Sequence, residues 1–123
     1  MNFNYFALGI DIEENERFKN KTLENDEKFL RKIFTQQELE YCFSNNLPYP
    51  HLCARFCAKE AVVKALTDLN ITDVFYSDIE VLKKNNNVPY VEIKKYPYLK
   101  FKLSLSHSKN YSVANVIVYK EET

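Results

Sequence analysis

The sequence predicts an α+β fold, a mainly antiparallel sheet packed by helices that include one long central helix. Three observations carry this expectation. Residues 3–12 alternate in polarity as a strand does. The run from Ala54 to Ala65 places alanines at 54, 58, 61 and 65, one helical stripe with no Gly or Pro inside it. Residues 78–119 fall into alternating segments divided by turns containing Asn.

In the first strand, Phe6, Leu8, Ile10 and Ile12 form one face and are the expected core face. Asp11 then lies on the opposite side near the strand end, either simply exposed or held at the rim of a site. Gly9 suggests a bulge or a close backbone approach. Residues 13–45 read as helical in pieces. Glu13 to Asn20 is anchored by Phe18. Asn25 is the expected N-cap of a helix with acids in its first turn and Lys28, Arg31 and Lys32 later. Phe29, Leu30, Ile33 and Phe34 form its apolar stripe. Thr35 followed by Glu38 has capping-box spacing, and Leu39, Cys42 and Phe43 are the buried face of that helix. Asn45 to Pro50 breaks the chain. The central helix is expected from His51 to Leu69, ending at Asn70–Asp73. Residues 78–84 and 88–94 form a hairpin around Asn85-Asn86-Asn87, because Asn tolerates positive φ. Tyr98 to Ser106 alternates Leu99, Phe101, Leu103 and Leu105 against Lys100, Lys102, Ser104 and Ser106. Tyr111 to Tyr119 completes the sheet, with Val113, Val116 and Val118 as its bulk.

At 123 residues the chain is expected to be one domain, 1–123, with a real core. Apolar residues make up 46% of the sequence, which argues against disorder. With one glycine, a Gly-rich phosphate loop is excluded. Net charge is zero, and no aromatic–basic motif accompanies it, so nucleic acid is not expected as a partner. Acids gather at Asp11, Glu13, Glu14 and Glu16. Residues 93–119 hold five lysines and no acid, which suits either a solvated sheet face or an anionic partner. Cys42, Cys53 and Cys57 make no metal pattern. Their odd number, with no basic leader and no membrane-length apolar run, implies reduced thiols in a cytoplasmic protein without a membrane partner.

Four side chains are candidates for chemistry: Asp11, Glu60, Lys64 and His107. Glu60 and Lys64 share a helix face. They could be a surface ion pair worth about 0.2–0.5 kcal/mol, or a metal-binding carboxylate beside a phosphate-binding amine. Two carboxylates from different elements suit Mg²⁺, which takes oxygen ligands together with substrate phosphates. Arg55, off the Glu60 face, could hold a second phosphate. His107 at a strand–turn junction is either a structural residue or a phosphate contact.

Three blocks, in order, carry a resemblance: Gly9-Ile10-Asp11-Ile12, Phe56-Cys57-Ala58-Lys59-Glu60-Ala61-Val62-Val63-Lys64, and Ser104-Leu105-Ser106-His107-Ser108. They resemble the holo-[acyl-carrier-protein] synthase family, the small bacterial type of 4′-phosphopantetheinyl transferase. Arg17, six residues after Asp11, and Ile33-Phe34-Thr35 before Glu38 also fit. Two glycine positions of the family are replaced here, by Thr67-Asp68 at the end of the helix and by Asn87-Val88-Pro89 in the hairpin.

The resemblance implies the 4′-phosphopantetheinyl transferase fold and transfer of phosphopantetheine from coenzyme A to a serine of apo-acyl carrier protein, for fatty acid biosynthesis. It implies Mg²⁺ on Asp11 and Glu60, with Lys64 neutralising the pyrophosphate and Glu60 or a metal-bound water taking the serine proton. Arg55, Lys64, Asn87, Pro89, Ser106 and His107 would contact coenzyme A. Arg17, Lys28, Arg31 and Lys32 would dock the carrier protein. A homotrimer with sites at subunit interfaces is implied as well. Two competing readings are a catalytically silent, oligomeric coenzyme A or nucleotide-binding domain of the same fold, and a small Mg²⁺-dependent phosphohydrolase.

Overall fold

Helix α3 (Pro48–Asp68) lies across a three-stranded antiparallel sheet, and the rest of the chain is arranged around that contact. The computed structural model describes residues 5–121. Strand β1 (Phe6–Glu14) runs into a 3₁₀ turn, Asn15–Phe18, and then into helices α1 (Leu23–Ile33) and α2 (Gln36–Phe43). After α3 and a second 3₁₀ turn, Tyr76–Asp78, come β2 (Glu80–Lys83), β3 (Pro89–Glu92), β4 (Leu99–His107) and β5 (Tyr111–Lys120). The sheet order is β1-β5-β4, and β2 and β3 form a separate hairpin. The fold is α+β with antiparallel sheets, as expected.

The alanine stripe makes close packing possible. Ala58, Ala61 and Ala65 are fully buried against Ala7, Ala114, Val116 and Val118. Gly9 stands beneath Ala61, so that a Cβ there would lie 1.8 Å from the Ala61 carbonyl oxygen. A second core, between the helices, is built on Phe18, Leu30, Phe34, Leu39, Leu52 and Phe56. Phe18 is its hub, edge-on to Phe34 at 5.7 Å and to Phe56 at 5.4 Å. Each such side chain stabilises the fold by about 1.5–3 kcal/mol through removal from water.

Several local expectations are corrected. The faces of β1 are reversed: Ala7, Gly9 and Asp11 point inward, while Phe6, Leu8, Ile10 and Ile12 are exposed. The helix backbone comes too near for large side chains, so the small ones face it. Phe3 and Asn4, at the start of the expected strand, lie outside the described residues. Glu13 and Glu14 continue β1 rather than opening a helix. The cap of α1 is Thr22, not Asn25: its Oγ1 accepts from the Asn25 N–H at 3.1 Å, and the Asp26 carboxylate accepts from the Thr22 N–H at 2.9 Å. Phe29 on that helix is exposed. Helix α3 starts at Pro48, three residues before the expected His51, since proline is tolerated in a first turn. Its left-handed terminus is Asn70 (φ 61°), inside the expected Asn70–Asp73 stop, and the chain does not turn at Thr67-Asp68, where the family often has glycine. There the Ile71 N–H reaches the Leu66 carbonyl at 2.9 Å and closes the helix. Two expectations hold to the residue. Thr35 and Glu38 form a capping box, and Asn87 takes φ 66° in the hairpin turn.

Candidate active site

Because β1 turns its small face inward, Asp11 is carried to the edge of the α3 contact, and its side chain is 9% exposed. The Lys64 ammonium donates to Asp11 Oδ1 at 3.0 Å and to the Ile10 carbonyl at 3.0 Å. Asp11 Oδ2 is buried with no hydrogen-bond partner among the described residues. Lys64 itself is exposed, and its hydrogen bond to Asp11 raises its pKa. One turn back on α3, half-buried Glu60 accepts a hydrogen bond from the Tyr76 hydroxyl at Oε1.

Another carboxylate, Glu13, neighbours Asp11, although the sequence singled it out only as part of an acidic run. It follows Asp11 by two residues and so shares its face of β1. Burial, then the neighbouring Asp11 carboxylate, push Glu13 up to about 7, and the Glu60 charge adds to this. The Arg17 guanidinium, 3.3 Å from Glu13, opposes the shift. Two carboxylates this close cannot both be charged cheaply, and either a proton or a cation relieves them. Among the described residues, no three His, Cys, Asp or Glu side chains stand together as a ready-made metal site. Lys64 and Tyr76 hold Asp11 and Glu60 individually. The donor set is nevertheless all oxygen and includes one buried, unpaired carboxylate atom, which fits a hard divalent cation.

The remaining sequence candidates gather elsewhere. A cleft of about 600 Å³ is lined by His51, Arg55, Asn87, Pro89, Ser106 and His107, among others. It is formed by the start of α3, the β2–β3 hairpin and the end of β4. Arg55 is buried, with its guanidinium 4.3 Å from the Tyr41 ring centroid and Nη1 donating to the His51 carbonyl at 3.3 Å. Its Nε has no partner among the described residues. His51 was not anticipated. Burial, then the Arg55 charge, lowers its pKa. Neither Asp11, Glu60 nor Lys64 lines this cleft. One chain therefore carries two separate clusters, one of carboxylates with a lysine and one of cationic and hydrogen-bonding groups.

Of the four basic residues expected to dock a partner, Arg17 lies beside the carboxylates, over the Phe56 ring at 4.7 Å. Lys28 and Lys32 are exposed on α1, and Arg31 pairs with Glu27 at 2.9 Å on the same helix.

Comparison with known proteins gives consistent matches. Residues 7–116 match the family model described as the 4′-phosphopantetheinyl transferase superfamily. The chain is 42% identical over 112 residues to a holo-[acyl-carrier-protein] synthase of Thermodesulfovibrio yellowstonii, covering 91% of this chain and 96% of the relative. It is 40% identical to the protein of that name from Chlamydia caviae, covering 87% and 91%. A Bacillus anthracis holo-(acyl-carrier-protein) synthase solved in complex with CoA (3′,5′-ADP) superposes with TM-score 0.76 at 28% identity, covering 94% of this chain and 96% of that one. The Helicobacter pylori enzyme solved with coenzyme A has the same fold, with TM-score 0.74 at 24% identity over 90% and 98% of the two chains.

Proposed function

The chain belongs to the 4′-phosphopantetheinyl transferase superfamily, and from that premise we propose that it is a holo-[acyl-carrier-protein] synthase. It transfers the 4′-phosphopantetheine of coenzyme A to a serine of apo-acyl carrier protein and releases adenosine 3′,5′-bisphosphate. The observation that carries this reading is the meeting of Asp11, with its buried unpaired Oδ2, with Lys64, one turn from Glu60 on the facing helix. Relatives at 42% and 40% identity bear the name of this activity.

Asp11 and Glu60 would hold Mg²⁺, with Glu13 beside them. Bound there, the ion would supply positive charge to the coenzyme A pyrophosphate. Lys64 adds its ammonium to the same phosphates, so charge building on the leaving oxygen is neutralised. The serine Oγ forms its bond to the β-phosphorus as the bond to the bridging oxygen breaks. The serine proton passes to Glu60 or to water. Arg55, Ser106 and His107, with Asn87 and Pro89 of the hairpin, suit the nucleotide and its 3′-phosphate. Arg17, Lys28, Arg31 and Lys32 suit an acidic carrier protein.

Two observations support a homotrimer with sites between subunits: the separation of the two clusters on one chain, and the exposed apolar face of β1. A single domain acting in the cytoplasm for fatty acid biosynthesis completes the reading. A catalytically silent binding domain is disfavoured because both carboxylates and Lys64 are kept.

The test is direct. Incubated with coenzyme A, Mg²⁺ and an apo-acyl carrier protein, the protein should add one phosphopantetheine unit to the carrier by mass spectrometry. Asp11→Ala and Glu60→Ala should each abolish the gain, as should chelation of the metal. A fully active Asp11→Ala or Glu60→Ala variant would refute the metal assignment.

A further inference from the structure

Tyr76 stands outside every motif of the sequence, yet its hydroxyl donates to Glu60 Oε1. The residue is fixed from three sides. Its ring packs edge-on to Phe56, with centroids 5.5 Å apart. Its carbonyl accepts from the Lys59 ammonium at 2.9 Å. Its 3₁₀ turn is closed by Asp78, whose carboxylate accepts from the Phe75 N–H at 2.9 Å. Lys59 is in turn immobile, fully buried and paired with Glu38 at 2.7 Å. Consecutive residues of α3 thus hold the turn: the Lys59 ammonium donates to the Tyr76 carbonyl, and the Glu60 carboxylate accepts from the Tyr76 hydroxyl. A glutamate on a helix has freely rotating side-chain bonds, and ordering it on binding costs conformational entropy. The Tyr76 hydroxyl occupies one carboxylate oxygen, Oε1, of a side chain whose charge also acts on Glu13 and Lys64.

We propose that Tyr76 is a positioning residue of the transfer site: its hydroxyl orients the Glu60 carboxylate for the divalent cation. This rests on the reading that Asp11 and Glu60 hold such a cation. An outer partner of this kind typically changes metal affinity about 10–100-fold.

The test compares wild type with Tyr76→Phe, which keeps the ring against Phe56 and the carbonyl for Lys59. Mn²⁺ binding to each protein, without coenzyme A, is followed by the electron paramagnetic resonance signal of the free ion. Tyr76→Phe should bind Mn²⁺ about tenfold more weakly, with a melting temperature close to wild type. In the transfer assay it should need about tenfold more Mg²⁺ to reach half-maximal rate, and saturating Mg²⁺ should restore most of the rate. Unchanged Mn²⁺ affinity overturns the proposal. So does a variant that fails to fold, since the hydroxyl would then serve the fold and not the site. Wild-type protein that binds no Mn²⁺ would instead sink the metal reading itself, and this proposal with it.

Discussion

Gly9 is needed for space, not for an unusual backbone conformation. A methyl group there meets the Ala61 carbonyl oxygen at 1.8 Å and Val116 Cγ1 at 3.1 Å, and the nearer obstacle is backbone that cannot turn aside. Gly9→Ala should push α3 from the sheet and cost about 3 kcal/mol, read as a lower urea midpoint. It should also cut transfer, because Asp11 and Glu60 sit on opposite sides of that contact. The three cysteines are buried thiols. Burial raises Cys42 from 9.0 to about 12 and Cys53 from 9.0 to about 11. Above pH 9 the unfolded chain releases these protons and the folded one keeps them, so stability falls as pH rises toward the folded values. Lys59, whose pKa burial lowers, pulls the other way. The thiol contribution is isolated by comparing wild type with Cys42→Ala: between about pH 8 and about pH 10.5 the urea midpoint should fall less in the variant.

Helix α3 gathers both kinds of role on neighbouring residues. Lys59 faces inward to Glu38, whose carboxylate also accepts from the Thr35 N–H at 2.8 Å and the Val81 N–H at 2.7 Å. That one buried acid ties α2, α3 and β2 together. Lys59→Met should cost about 3–5 kcal/mol, measured by denaturant unfolding, because it leaves the Glu38 charge buried and uncompensated. The elements were largely legible from period and capping. The alanine stripe, the Thr35–Glu38 box and the Asn87 turn are local chemistry and stand where expected. The phase of β1 was not legible, because alternation marks two faces without saying which is covered. The covering element was the alanine-rich helix, and its closeness reversed the usual preference for large side chains inside. Misjudging where β1 ends also hid Glu13. Carried two residues further, the strand would have placed it on the face of Asp11. Tyr76 had no sequence signal, since an irregular turn acquires its partner from tertiary packing.

The whole molecule leaves Leu8, Ile10 and Ile12 about 60% exposed on one side of a sheet. Contiguous apolar surface of this kind marks an interaction face. Leu8→Lys should keep the monomer folded but break the proposed trimer. Light scattering would then give about one chain mass of 14.6 kDa in place of three. Transfer activity should fall with it if sites are completed between copies. The sheet order β1-β5-β4 has a further consequence, for the birth of the protein. Strand β1 pairs with β5 along its whole length, Phe6 opposite Tyr119 and Glu14 opposite Tyr111. Strand β1 therefore waits for β5, which is made about a hundred residues later. Until then α3 has no finished surface to settle on, and the apolar side chains of β1 are bare on both flanks. Contacts distant along the chain dominate this assembly, so it should be completed late, which slows folding and exposes the nascent chain to aggregation. A polypeptide stalled before Tyr111 should be protease-sensitive throughout β1 and α3, whereas release of a chain that includes β5 should bring protection to both together.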